Sequence, residues 1–253
     1  MKYLLKLSYL GCEYHGFQIQ DNAPTIAGAL KKSCEMLFSA PCTIHGCSRT
    51  DTGVHALDYY ATCTVDGGNN VPEKKIPYAL NHLLPNDISV LDCCIADDMF
   101  NPRHAEYKEY RYVVHNSPFK DPFLYKRALR VPDKINADML NNAAQAFVGT
   151  HDFSSFMATG SEVKTTVRTV KYFSVERDDD RIIFTVAADG FLYNMVRIMV
   201  GTLLDISKGK IDKDAVSSII LAKDRTKAGI TAPPDGLYLA KVVYKENFFT
   251  SRS

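Results

Sequence analysis

One short stretch, GCSRTDTGVHA from Gly46 to Ala56, groups residues that can do chemistry. Arg49 and Asp51 sit two positions apart in it, and Gly53 follows. A plain turn between strands uses Gly or Asn and has no need of an arginine, and most aspartates in turns only organise backbone. A second arginine changes the weight of Asp51. Arg197 lies inside FLYNMVRIMVGTLL, where Leu192, Met195, Val196, Met199 and Leu203 share one helical face and Ile198 and Val200 fill much of the rest. A helix apolar nearly all round is buried, and a guanidinium there without a partner is very costly, so it must meet an anion. Either Arg197 snorkels to an edge and pairs with a surface acid, or it meets a carboxylate from elsewhere in the chain, for which Asp51 is the best candidate. An aspartate flanked by arginines stays an anion at neutral pH. That suits a nucleophile or an electrostatic stabiliser and does not suit a general acid.

A third feature is the strand AEYKEYRYVV, in which Tyr107, Tyr110 and Tyr112 are interleaved with Lys108 and Arg111. Arg103, Lys108, Arg111, Lys120, Lys126, Arg127 and Arg130 face only Glu106, Glu109 and Asp121 over that part of the chain, a local excess of +4. Aromatics among cations are what stacking on bases and neutralising phosphates require. Tyr is also an ordinary strand residue, and for Tyr112 a core role is the better reading. Tyr110 shares its face by alternation, so periodicity alone does not make it functional.

The elements that must position these residues come in two similar runs. In the first, 3–9 alternates as a strand and 25–38 reads as a helix capped by Thr25. Strands 42–47 and 57–65 flank the Arg-Thr-Asp loop. A short helix over 74–84, broken early by Pro77, and a strand over 88–96 follow. In the second run, 105–116 is a strand and 136–149 a helix, with Asn136 as cap and Gly149 as stop. Then come a hairpin of 167–177 and 181–189 around three aspartates, a long helix 191–209, a further helix 213–223 and a last strand 236–244. Each run reads β-α-β-β-α-β, the second with one helix inserted. That is the ferredoxin-like order. The expectation is an α+β chain of two ferredoxin-like halves, 1–104 and 105–253, with antiparallel sheets and helices on one face of each. The first half carries the catalytic aspartate loop and the second the buried-arginine helix.

Bulk composition narrows the function classes. With 253 residues, 46% of them hydrophobic, the chain can bury a sizeable core, and a net charge of +1 argues against a uniformly basic nucleic-acid binder while leaving room for a local patch. No apolar run is long enough to span a membrane. The opening MKYLLKLSYLG reads as a strand and not as a signal peptide, because Lys6 interrupts it and no small-residue cleavage site follows. Seven cysteines, all within the first 94 residues, show no paired CxxC, and reduced thiols in a cytoplasmic protein are expected. The seven histidines show no metal spacing, and His55 is read as a support for the loop. No phosphate-binding loop, dinucleotide fingerprint or serine elbow is present.

Four segments together resemble the tRNA pseudouridine synthase A family. SRTDTGVHA (48–56) is similar to its GRTDxGVHA signature, and YLGCEYHGFQIQ (9–20) to its Y-x-G-x-x-Y-x-G-W-Q-x-Q. EYRYVVHN (109–116) resembles its R-Y-R-Y strand, and GFLYNMVRIMVGTLL (190–204) its F-L-x-x-M-V-R-x-I-V-G helix. Ser48, Thr52 and Phe17 stand where Gly, Ala and Trp are usual, and none of them touches the Arg-Thr-Asp core.

The resemblance implies two fused halves with a basic active-site cleft between them, a homodimer that holds tRNA, and no cofactor or metal. It implies isomerisation of uridine to pseudouridine at positions 38, 39 and 40 of the anticodon arm. Asp51 is then the nucleophile, attacking carbon 6 of uracil or carbon 1′ of ribose. Tyr110 stacks on the uracil and could help remove the carbon 5 proton, Arg197 pairs with Asp51, and Arg49 fills the space left by the extruded nucleotide. Two other classes compete. A non-catalytic RNA-binding protein would use sheet aromatics and need no Asp51, but the aromatic RNP1 pattern is absent. A glycosidase or nucleosidase built on Asp51 is the other, but a retaining glycosidase needs a second carboxylate as acid, and none is evident.

Overall fold

A computed structural model describes all residues except 68–70, 161–162, 247 and 250–253. The fold is α+β, and the chain compacts into two units. One comprises Met1–Glu106 and the chain from Leu239 on, and the other is Tyr107–Tyr238.

In the first unit, strand β1 (Lys2–Tyr9) buries Tyr3, Leu5, Leu7 and Tyr9, as its alternation predicts. Helix α1 (Ile26–Phe38) starts where expected. The Thr25 side chain accepts from Gly28 N at 3.2 Å, and Ile26, Leu30 and Cys34 are buried. Phe38 stacks on Tyr3 with ring centroids 5.6 Å apart. Strands β2 (Cys42–Gly46) and β3 (His55–Val65) flank the Arg-Thr-Asp loop. Helix α2 (Ile76–Leu83) follows a 3-10 turn over Glu73–Lys75. Pro77 does not break this helix. It sits in the first turn, where the missing N–H would have had no intrahelical partner and the fixed φ suits a start. Strand β4 (Ile88–Ile95) pairs antiparallel with β1, β1 with β3, and β3 with β2. The sheet path β4-β1-β3 continues to β10 (Leu237–Val243). The last strand had been expected in the second half, whereas from Leu239 it belongs to the first unit. The period of a strand fixes which way its side chains point and not which neighbour it pairs with.

In the second unit, β5 (Tyr107–His115) pairs antiparallel with β9 (Arg181–Ala188), which pairs with β8 (Val167–Asp178) around a turn with Asp179 at φ 53°. Two strands were not foreseen. β6 (Leu129–Arg130) runs parallel to β5, so the strands form one ten-stranded mixed sheet and not the two antiparallel sheets expected; the long excursion over 116–128 lets the chain return in the same direction. β7 (Gly149–Asp152) pairs with β8. Helix α3 (Ala137–Ala144) is capped by Asn136, whose side chain accepts from Met139 N at 3.1 Å. It ends before Gly149: a 3-10 turn over Gln145–Phe147 tightens the chain, and Gly149, at φ 112°, opens β7. Helices α4 (Met195–Ser207) and α5 (Val216–Ala222) complete the unit. Within α4, Met195, Val196 and every residue from Ile198 to Ile206 are buried.

All seven cysteines are free thiols of the first unit, and five of them are buried. Among the described residues no helix is long and apolar enough to cross a membrane, and no cluster of His, Cys, Asp and Glu could hold a metal ion.

Candidate active site

The Arg-Thr-Asp loop is held from below by the segment that leaves β1. Thr50 is buried, and its hydroxyl shares a 2.8 Å hydrogen bond with the Tyr9 hydroxyl. Its carbonyl accepts from Phe17 N at 3.2 Å. Gly53 N donates to Tyr14 O at 3.2 Å, and Val54 N donates to Asp51 O at 3.1 Å, closing a turn across Thr52 and Gly53. Gly53 adopts φ 81°, a left-handed conformation glycine takes without penalty.

The approach is too close for side chains. A Cβ on Gly16 would run into the Thr50 carbonyl oxygen, and one on Gly11 into that of Val54. His55 is fully buried and accepts from Gly11 N at Nδ1, 3.0 Å, so it supports the loop as the sequence suggested. The Tyr59 hydroxyl donates to Ser48 O, and Phe17, in the place where Trp is usual, stacks on Tyr59 at 4.5 Å. Each such buried hydrogen bond is worth about 1 kcal/mol net, and together they fix the backbone on both sides of Asp51. The Asp51 side chain is half-buried and Arg49 is exposed. Sequence reasoning named the loop but missed its clamp. The only signal was the pair of glycines in 9–17, whose close approach no local pattern displays.

In the second unit, Tyr110 and Tyr112 share one face of β5. Tyr110 is buried, with its ring edge-on to Phe191 at 5.0 Å. Tyr112 is fully buried, its hydroxyl donates to Pro233 O at 2.7 Å, and burial pushes its phenol well above the usual range. Tyr112 is thus a core residue, as read. On the opposite face Glu109 is buried and takes Arg111 through Nε and Nη2, each at 3.2 Å, and the Tyr172 hydroxyl. One cation of the basic segment is therefore neutralised within its own strand.

Arg197 is half-buried in α4. Its Nε donates to Ala232 O and its Nη1 to Asn194 Oδ1, both at 2.7 Å. These two acceptors are neutral and cancel none of its charge. That charge reaches Tyr112, whose phenol it pulls down against the larger effect of burial. Tyr112 and Arg197 are thus tied to neighbouring carbonyls, those of Pro233 and Ala232. Of the four residues singled out from the sequence, Asp51 and Arg49 lie in the first unit and Tyr110 and Arg197 in the second. Asn194 and the 225–233 segment were not foreseen.

Comparison with known proteins finds relatives that cover nearly the whole chain. Residues 143–245 match a family model described as tRNA pseudouridine synthase. A protein of Thermoanaerobacter sp. (strain X514) named tRNA pseudouridine synthase A is 43% identical over 242 residues, covering 95% of this chain and 98% of that one. Its namesake in Acetivibrio thermocellus is 43% identical over 241 residues, with the same coverage. That of Bacillus licheniformis is 42% identical over 247 residues, covering 96% and 99%. Among solved structures, the crystal structure of a Cbf5-Nop10-Gar1 complex aligns with a TM-score of 0.41 at 12% identity, covering 94% of this chain and 48% of that one, a likeness too distant to add to the argument.

Proposed function

The chain belongs to the tRNA pseudouridine synthase A family, and on that premise we propose that it isomerises uridine to pseudouridine at positions 38, 39 and 40 of the tRNA anticodon arm, with Asp51 as nucleophile. One observation carries the assignment of Asp51: the loop on either side of it is fixed by the Thr50 hydroxyl on that of Tyr9, by Phe17 N on the Thr50 carbonyl and by Gly53 N on the Tyr14 carbonyl. A rigid mount with a half-buried carboxylate suits a nucleophile.

The reaction is balanced without a cofactor. Asp51 attacks carbon 6 of uracil or carbon 1′ of ribose, the bond from nitrogen 1 to carbon 1′ breaks, and the ring turns. Carbon 5 then bonds to carbon 1′, carbon 5 loses its proton, nitrogen 1 gains one, and the carboxylate leaves. Tyr110 stacks on the uracil and could help remove the carbon 5 proton. Arg197 pairs with Asp51, and Arg49 fills the gap in the stack left by the extruded nucleotide.

The finer architecture belongs to the same proposal. The two halves, the first over 1–104 and the second from 105 to the last strand, which the first unit takes over from Leu239, are ferredoxin-like repeats with helices on one face and an active-site cleft between them. The first unit's order β4-β1-β3-β2, with its first and third strands central, supports this. The working form is a cytoplasmic homodimer holding tRNA.

Tritium release from carbon 5 of uridine in an unmodified tRNA transcript tests the reading. Wild-type protein releases tritium and Asp51→Asn does not, although it binds the tRNA equally well. Free uracil instead of tritium release would mean a nucleosidase, and turnover by Asp51→Asn within about tenfold of wild type, a barrier change of only about 1.4 kcal/mol, would remove Asp51 from the chemistry.

A further inference from the structure

Helix α4 is tied along its length to the strap Arg225–Pro233. Ala232 meets Arg197 twice: its N donates to Arg197 O at 3.0 Å, and its carbonyl accepts from Arg197 Nε at 2.7 Å. One turn on, Gly229 N donates to the buried hydroxyl of Thr202 at 2.9 Å. Next to it, Ile230 N donates to buried Asp205 Oδ2 at 3.2 Å. The packing leaves no room for slack, since a Cβ on Gly201 would run into the Ile230 carbonyl oxygen and one on Gly229 into the Thr202 backbone. Arg225 closes the strap on itself. Its Nη1 donates to Gly229 O at 2.9 Å and to Ala228 O at 3.4 Å, and its Nη2 to Thr231 Oγ1 at 3.1 Å.

Asn194 behaves unusually for its place. It is the N-cap of α4, where an Asn side chain ordinarily accepts from the backbone N–H groups of the first turn. Here it makes no such bond and adopts φ 59°, a left-handed conformation. Its Oδ1 is turned to Arg197 Nη1 at 2.7 Å, three residues along the same helical face.

We infer that Asn194 and the strap held by Arg225 are the positioning elements of Arg197. They take the Nε hydrogen and one Nη1 hydrogen, so the guanidinium has a fixed direction. A planar carboxylate takes a guanidinium in two parallel bonds. With Nε on Ala232 O, the edge assigned to the carboxylate is the end-on one, Nη1 with Nη2. This rests on the reading that Arg197 supplies the countercharge of Asp51.

Asn194→Gly tests it, because glycine takes the left-handed conformation freely and removes only the amide. Its kcat for tritium release should fall on the order of 10- to 100-fold, the scale of a misplaced catalytic group. KM for tRNA should stay within about threefold, since ground-state binding is untouched, and the melting temperature should not change. Combined with Arg197→Met, it should lower kcat no further than Arg197→Met alone, because it acts through that side chain. Arg225→Met should show the same split between kcat and KM with a smaller loss. Wild-type kcat in Asn194→Gly beside an inactive Arg197→Met would overturn the inference. So would a double variant that loses the full Asn194 factor again, or a melting temperature that falls in step with activity. Wild-type kcat in Arg197→Met would instead remove the reading of Arg197 itself.

Discussion

The two regions that carry the candidate site are immobilised in opposite ways. Around Asp51 the chain is held by its backbone and one threonine: carbonyls and amides of 50–54 are taken by Phe17 and Tyr14, and glycines at 11 and 16 let the two segments touch. Around Arg197 the backbone is a regular buried helix, and it is the side chain that is held, by one amide and one carbonyl. The difference follows from side-chain length. A carboxylate on a short stem is placed once its backbone is placed, whereas arginine carries about 2 kcal/mol of rotamer entropy and needs partners along its length. Backbone errors should therefore damage the first region and side-chain errors the second.

Variants can break or sharpen that contrast. The largest effect is expected for Asp51→Asn, a loss of at least about 10⁴-fold in kcat with tRNA affinity kept, since losses of this size follow removal of a nucleophile. Filter binding alongside tritium release checks both halves of the statement. Next comes Arg197→Met, for which kcat should fall on the order of 10²- to 10³-fold, the range for removing a group that stabilises charge. Methionine fits the apolar helix, so the melting temperature should drop by no more than about 4 °C; unfolding on this change would make Arg197 a structural residue.

Gly16→Ala probes the other mode. Its Cβ meets the Thr50 carbonyl at a position with φ 81°, so the loop must shift, and kcat should fall roughly 10- to 100-fold. An unchanged kcat would mean that the clamp does not set the carboxylate. The smallest effect is expected for Tyr112→Phe, which deletes the bond to Pro233 O. It should cost about 1 kcal/mol of stability in a denaturant titration and change kcat by less than about twofold; a larger kinetic effect would give this phenol a role in the chemistry.

Much of this was legible in the sequence because it is written in local pattern. Thr25 and Asn136 announce helix starts, three aspartates mark the β8–β9 hairpin, and apolar residues on every side of 195–206 mark a buried helix. What was misread depends on partners distant in the chain. Gly149 looked like a helix stop but opens a strand that exists because β8 is beside it. Pro77 looked like a break because the preceding 3-10 turn was not recognised as the approach to the helix. The parallel pairing of β6 and the placement of β10 beside β3 are choices of neighbour, to which alternation is blind.

The same divide runs through the site. Asp51, Arg49, Tyr110 and Arg197 were visible as residue types in improbable surroundings. Asn194 was not, because an asparagine before a helix reads as a cap, and only its left-handed backbone shows its side chain turned elsewhere.

The uneven distribution of thiols gives the molecule a built-in reporter. Every cysteine lies between Cys12 and Cys94, so the second unit is silent to thiol chemistry. Burial holds the Cys42 thiol up at about 12 and that of Cys94 at about 11, far from the thiolate form that alkylating reagents need. Cys34, Cys63 and Cys93 are enclosed in the same core. Pulsed alkylation followed by mass counting therefore clocks the opening of one unit without hearing the other. The order in which the thiols become labelled traces that opening, with Cys12 and Cys94 first and the Cys34–Cys63 neighbourhood last.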